Sequence, residues 1–296
     1  MNEEDNEHTY DDVLVSVSNP ENAKNLIRLA TLITTPRATL HILTVTRKQT
    51  TFKRDHSWRQ GSNLVIEATR YANKLGWVAM PIAKTLDSVP KAIINTAKEV
   101  DADLLLLGWF KQVRPISVES SEIVNNVMCD APHNMGVLKP RTNLLDIKKV
   151  LVPITELTED ALLHVVDNIL QNSGADGELI HVITKDSERR KEMAEKVLSA
   201  KEAQFTSPVK KRIIRSDSVT DGLTDASKEG DLIVIGATPE WRFSEFLFGR
   251  IIDRVADNAQ CSVLIYKSKK RTMERWTKAL IRNIKQKVTF FLLPRE

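Results

Sequence analysis

The sequence predicts an α/β protein of two tandem parallel sheets covered on both faces, closed by a basic amphipathic helix. Three observations predict it. Short apolar runs alternate with amphipathic stretches, that order occurs twice, and 296 residues are about twice the usual size of one domain.

In the first half, Val13–Val17 is a buried-strand run, followed by a helix with Leu26, Ile27, Ala30, Leu32 and Ile33 on its apolar side. Thr39–Val45 is a second strand, and the polar stretch Thr46–Gly61, without periodicity, is expected to be a loop. Ser62 then precedes Leu64, Val65, Ala68, Tyr71, Ala72 and Leu75 at helical spacing, with Gly76 as the left-handed residue past the end. Trp77–Ala83 is a third strand, Ser88 and Pro90 open a helix through Ile93, Ile94, Ala97 and Val100, and Leu104–Leu107 is a strand ending at Gly108.

The order returns from Val150: a strand to Ile154, Thr158 as a candidate cap, a helix carrying Leu162, Leu163, Val165, Val166, Ile169 and Leu170, and Gly174 at its end. Strand Leu179–Ile183, the charged helix Ser187–Gln204, strand Val209–Ile214, a helix after Ser218 and strand Leu232–Ile235 complete the series. An offset of 128 places Asp103 on Asp231, Gly108 on Gly236, Val127 on Val255, Ala131 on Ala259 and Lys139 on Lys267, while the first strands align at 137. The expected units are 9–139 and 147–267, with Pro140–Asp146 as linker and 268–296 as the tail helix.

An apolar content of 42% with 28% charged residues excludes a disordered polar chain. The net charge of +4 is unevenly placed: Lys267–Glu296 holds ten basic and two acidic residues, +8, leaving residues 1–266 at −4. Cys129 and Cys261 offer neither a metal-ligand spacing nor a disulfide framework, so a reducing compartment is expected. No apolar run is long enough to cross a membrane, and Met1–Asp12 is acidic where a signal peptide would be basic and then apolar, so the expectation is a cytoplasmic chain.

The run Asp231-Leu232-Ile233-Val234-Ile235-Gly236, with Gly249 thirteen residues after its glycine, then Ile251-Ile252-Asp253-Arg254-Val255 and Cys261-Ser262-Val263-Leu264-Ile265, resembles the universal stress protein family. That family's pattern is a strand ending in Gly, two residues, Gly, nine residues, then Gly and Ser or Thr. The resemblance spans roughly residues 10–267. It implies, in each half, a five-stranded parallel, doubly wound sheet of the adenine-nucleotide alpha hydrolase type, and last strands that pair either between chains, giving a homo-oligomer, or within this chain as an internal pseudo-dimer. Val15-Ser16-Val17-Ser18-Asn19-Pro20-Glu21, Leu107-Gly108-Trp109 and Gly236-Ala237-Thr238-Pro239-Glu240-Trp241 further resemble the tandem stress-protein domains that form cytosolic tails of amino-acid and cation transporters.

A ligand in such a fold sits beyond the carboxyl ends of the strands, where backbone N–H groups, glycines and a helix start can approach a phosphate. The resemblance places a nucleotide site in the second half at Ile154, Thr155, Val182, Gly236, Ala237, Pro239, Gly249, Arg250 and Ile251, for ATP, AMP or a cyclic dinucleotide. Pro239 stands at the family's middle glycine, removing a donor and fixing φ, and Arg250 stands where Ser or Thr belongs. The family's Asp after the first strand is Thr155, and Ser18 in the first half. The degenerate first site, Ser18, Val45, Gly108, Lys111 and Ser121, has Glu122 where a phosphate would need a hydroxyl, so no ATP-like ligand is expected there.

No Ser/His/Asp set converges on one strand end among the six histidines, so the chain is expected not to be an enzyme. His41 and His181 fall in strands and are expected to be satisfied there, Cys261 to be buried and Asp253 to be a surface charge. In the tail, Met273, Trp276, Leu280, Ile284, Val288 and Phe291 recur at spacings of three and four. With Arg275, Lys278, Arg282 and Lys285 beside them, they suit either an anionic membrane surface or a transporter partner, or docking on the chain's own acidic body. Nucleic acid is not expected, because the basic residues form one helix without a reading motif. The alternative to nucleotide binding is a nucleotide-independent regulatory domain of a membrane transporter, docking through the basic helix.

Overall fold

The computed structural model describes residues 10–47, 54–109, 119–184, 187–237 and 250–269. Its elements are β1 (Asp12–Ser16), α1 (Pro20–Ile33), β2 (Thr39–Arg47), α2 (Arg54–Lys74), β3 (Val78–Leu86), α3 (Val89–Glu99), β4 (Leu104–Gly108), α4 (Glu119–Asp130) and β5 (Asn134–Lys139). After a 3-10 turn at Leu144–Asp146 come β6 (Lys149–Pro153), α5 (Asp160–Ser173), β7 (Asp176–Ile183), α6 (Glu188–Glu202), β8 (Val209–Arg215), α7 (Val219–Ala226), β9 (Leu232–Gly236), α8 (Arg250–Asn258) and β10 (Ser262–Lys267).

The ten strands form one sheet in the order β3-β2-β1-β4-β5-β10-β9-β6-β7-β8. Pairing is parallel within each half and antiparallel only where β5 meets β10, with Val263 opposite Lys139 and Lys267 opposite Met135. The last strands therefore pair inside the chain, the internal pseudo-dimer of the two expected arrangements. The offset of 128 holds for β4 against β9 and for β5 against β10, and that of 137 for β1 against β6.

Strand alternation divides the core between the two faces. Val13, Val15, Leu104, Leu106, Val150, Val152 and Leu264 pack with α1, α2, α5 and α6, whereas Leu14, Leu105, Leu151, Ile233, Val263 and Ile265 pack with α3, α4, α7 and α8. Glycines end helices as expected: Gly76 at φ +92 after α2 and Gly174 at φ +70 after α5. Ser187 and Ser218 cap α6 and α7 by accepting from Arg190 N and Asp221 N.

Two local expectations need correction. The second half of the predicted loop Thr46–Gly61 is helix, because α2 starts at Arg54, and Thr46 and Arg47 still belong to β2. A helix nucleated by its apolar stripe from Leu64 propagates into residues that carry no periodicity of their own. Thr158 is not the cap of α5; its hydroxyl accepts from Thr155 N at 2.8 Å, and the N-cap is Glu159.

The halves are tied together by more than the ladder. The Asn172 amide donates to Leu32 O (2.9 Å) and Thr34 O (3.2 Å), and Asn168 donates to Ile33 O (3.0 Å), so α5 satisfies carbonyls at the end of α1. Lys267 Nζ, buried, donates to Met128 O (2.8 Å) and Ala131 O (2.9 Å) at the end of α4. Its equivalent Lys139 crosses the other way, to the Asp257 carboxylate (2.7 Å) in the last turn of α8. Each last strand thus delivers a cation to a helix C-terminus of the opposite half, where the macrodipole favours it. The repeated Asp103 and Asp231 play one role twice: each carboxylate accepts from the two backbone amides that open the first strand of its half, Asp11 and Asp12 or Lys148 and Lys149.

Candidate functional site

Because β5 and β10 run antiparallel, the carboxyl ends of the first half's parallel strands lie at one end of the sheet and those of the second half at the other. The two candidate sites are therefore far apart rather than merged.

In the second half the order β9-β6-β7 brings three predicted positions to adjacent strand ends: Gly236 ends β9, Thr155 follows β6, and Val182 lies near the end of β7. Ile154 N donates to Ile180 O at 2.7 Å, so at this point the backbone of β6 turns its donor toward β7. Amides alternate sides along a strand, which aims the nitrogen of the preceding residue, Pro153, at β9. Proline carries no N–H, and the β6–β9 ladder stops at Leu151–Ile233. In the first half the same position is Ser16, and the β1–β4 ladder runs on through Ser16–Leu107. The ladder of the second half is thus interrupted at the point where a doubly wound fold holds ligands, leaving backbone acceptors there without their sheet partner.

Ile154 and Ala237 are buried with their amides spent, Ala237 N donating to Tyr266 O at 2.7 Å. The exposed Thr155 hydroxyl accepts from Leu157 N at 3.2 Å and lies 3.4 Å from the Thr158 hydroxyl. Ile251 is 49% exposed. Pro239 and Gly249 lie outside the described residues, as does the side chain of Arg250, whose backbone opens α8. Asp253, expected at the surface, is buried at 8% exposure, because the helix turns that face onto the sheet beside Ile252 and Val255.

An open pocket of about 670 Å³ occupies the β6–β7 side of this corner. Thr155 and Val182 line it, together with residues not singled out from the sequence: Leu157, Met193 and Val197 supply apolar wall, and Arg189 and Arg190 of α6 supply charge. His181 also borders it, but its Nδ1 donates to Ile154 O at 2.8 Å, which fixes the ring. His41 is likewise satisfied, by Asp12 at 2.8 Å.

The first site keeps less. Ser18 is exposed, Val45 and Gly108 are half-buried and Glu122 is exposed. Ser121 belongs to α4, and Lys111 lies outside the described residues. Trp109, just past Gly108, is buried under the Lys139 ammonium, 4.5 Å from its ring centroid. Cys261 is buried, which pushes its thiol up to about 11 and makes it a packing residue. The tail positions Arg275, Trp276, Lys278, Arg282 and Lys285 lie outside the described residues. Among the described residues no helix is long and apolar enough to cross a membrane.

Residues 146–267 match the family model described as the universal stress protein family. The chain is 24% identical over 266 residues to the Na(+)/H(+) antiporter NhaS5 of Synechocystis sp., a match covering 86% of this chain and 38% of the antiporter's length. Among solved structures, the fold resembles the cytoplasmic domain of a prokaryotic cation chloride cotransporter, with TM-score 0.62, 12% identity and coverage of 88% of this chain and 96% of that one. It equally resembles a universal stress protein from Archaeoglobus fulgidus DSM 4304, with TM-score 0.61, 16% identity and coverage of 87% and 96%. At these identities the structures establish the fold.

Proposed function

We propose, from the premise that residues 146–267 are a universal stress protein domain, that the chain is a non-enzymatic regulatory module that binds an adenine nucleotide in its second half and passes occupancy to a partner. We read residues 9–139 and 147–267 as two domains of one fold, cytoplasmic, with the tail as a third element. The observation that carries nucleotide binding is the interrupted ladder at this corner. Thr155, Val182 and Gly236 stand at adjacent strand ends, and Pro153, with no N–H, ends the β6–β9 ladder beside them. A ribose hydroxyl would meet the Thr155 side chain and an adenine the backbone near Val182, with the loop after Gly236 left for phosphate. Equilibrium dialysis of the full chain against ATP, AMP and cyclic di-AMP tests this reading: saturable uptake of at least one supports it, and no uptake at millimolar ligand rejects it.

A second reading is favoured by the antiporter match and by the cotransporter domain of the same fold. Here the module is the regulatory domain of a membrane transporter and docks through its basic end, independently of nucleotide. About 1 kcal/mol per basic residue near an anionic surface would make eight net charges sufficient for membrane recruitment. Co-sedimentation of the full chain and of residues 1–267 with phosphatidylserine vesicles separates the cases: loss of binding on truncation supports the docking role, and equal behaviour removes it.

A further inference from the structure

The pocket between β7 and α6 has two properties that the nucleotide reading does not require. Its mouth sets Leu157, at 65% exposure, and Met193, at 47%, around one opening, so two large apolar side chains border the same hollow. Val182 and Val197 continue that apolar surface inward. Its charge is also one-sided. Arg189 and Arg190 both line it and are exposed, and among the described residues neither forms an ion pair, whereas Lys149, Lys201, Lys211 and Arg212 all do. Among the described residues Glu156 is the one carboxylate on the lining, against two guanidinium groups. An acidic body that leaves two unspent arginines on the wall of an apolar-sided hollow is built for a molecule with matching parts.

We propose that this pocket is a site for a small amphiphilic anion. An aromatic or aliphatic body lies against Leu157, Val182, Met193 and Val197, and a carboxylate, sulfonate or phosphate pairs with Arg189 and Arg190. The site shares Thr155 and Val182 with the nucleotide reading and rests on that corner being a ligand site, but it assigns the ligand's charge to α6 and not to the loop after Gly236. A planar guanidinium offers two parallel donors to such a group, which a lysine would not.

The test uses two fluorescent probes with one aromatic body, 8-anilinonaphthalene-1-sulfonate and the uncharged N-phenyl-1-naphthylamine, titrated into the full chain. The expected result is saturable binding of the sulfonate at about one site. The ratio of sulfonate to neutral-probe affinity should fall at least tenfold in the R189A/R190A chain, and V197W should weaken both probes. Both arginines sit on the exposed side of a helix, so the double variant should keep the native thermal midpoint. A ratio unchanged in R189A/R190A, or no saturable sulfonate binding, overturns the proposal. Competition with AMP separates the two readings: displacement of the sulfonate supports both. Failure of AMP to displace it, while the arginine dependence holds, rejects the nucleotide reading for this pocket and keeps the anion site.

Discussion

The hydroxyls of Tyr10 and Tyr266 meet at 2.7 Å in the buried seam between the halves, joining the start of the first half to the last strand of the second. Burial pushes the Tyr10 phenol up to about 12 and the Tyr266 phenol further in the same direction, since neither can ionise without water and Glu159 adds negative charge near Tyr266. Unfolded tyrosine titrates near 10. Below that pH both states hold the proton and the contribution is complete; as the pH rises from 10 toward 12 the unfolded chain loses protons that the folded chain keeps, so stability falls. The slope expected is about 1.4 kcal/mol per pH unit for each tyrosine. Urea unfolding at pH 8 and pH 11 measures it, and Y10F/Y266F should flatten the difference. Tyr266→Phe alone should cost about 1–3 kcal/mol at pH 8, because it strands a buried donor on Tyr10. A native chain with no loss between the two pH values would contradict the burial argument.

At the scale of elements, β6 differs from β1 by one decisive residue. Pro153→Ser restores the amide that faces β9, so the ladder should extend as it does in the first half, adding roughly 0.5–1.5 kcal/mol of stability and weakening uptake by occupying the backbone acceptor left for a ligand. Chemical denaturation together with ligand uptake checks both signs; higher stability with undiminished uptake would mean that the interrupted ladder plays no part in binding. The elements themselves were legible where their cause is local. The four-leucine run of β4, the serine caps of α6 and α7 and the glycine after α5 are each decided within a few residues. The start of α2 was not legible, because Arg54–Gly61 carries no stripe. Nor was the burial of Asp253 and Lys267, which depends on what another element brings against them. In the site, Thr155 and Val182 came from matching positions to a family pattern. Arg189 and Arg190 carried no signal within a helix whose whole surface is charged, and only the fold shows that they border a hollow.

The whole molecule is a ten-stranded sheet whose two outer edges are guarded and whose middle is not. At one edge β3 carries Pro81, and at the other β8 carries Lys210, Lys211 and Arg212, features that discourage further strand addition. At the centre, β10 has Val263, Leu264, Ile265 and Tyr266 all at 2% exposure or less, and that burial depends on β5 and on α1 and α4 of the other half. Cutting the chain there leaves an apolar, unguarded edge that must find a partner or aggregate. Residues 140–296 expressed alone should therefore form a homodimer through β10, the chain supplying to itself the antiparallel neighbour it lost. Light scattering after size exclusion reads the mass directly. A dimer that reverts to monomer on Ile265→Pro, with far-ultraviolet circular dichroism retained, is the expected result: Tyr266 O faces β9, so the Ile265 amide faces the partner copy, and proline removes that donor from the edge. A stable, soluble monomer would mean that the second half is complete by itself and that the two halves are neighbours by linkage rather than by need.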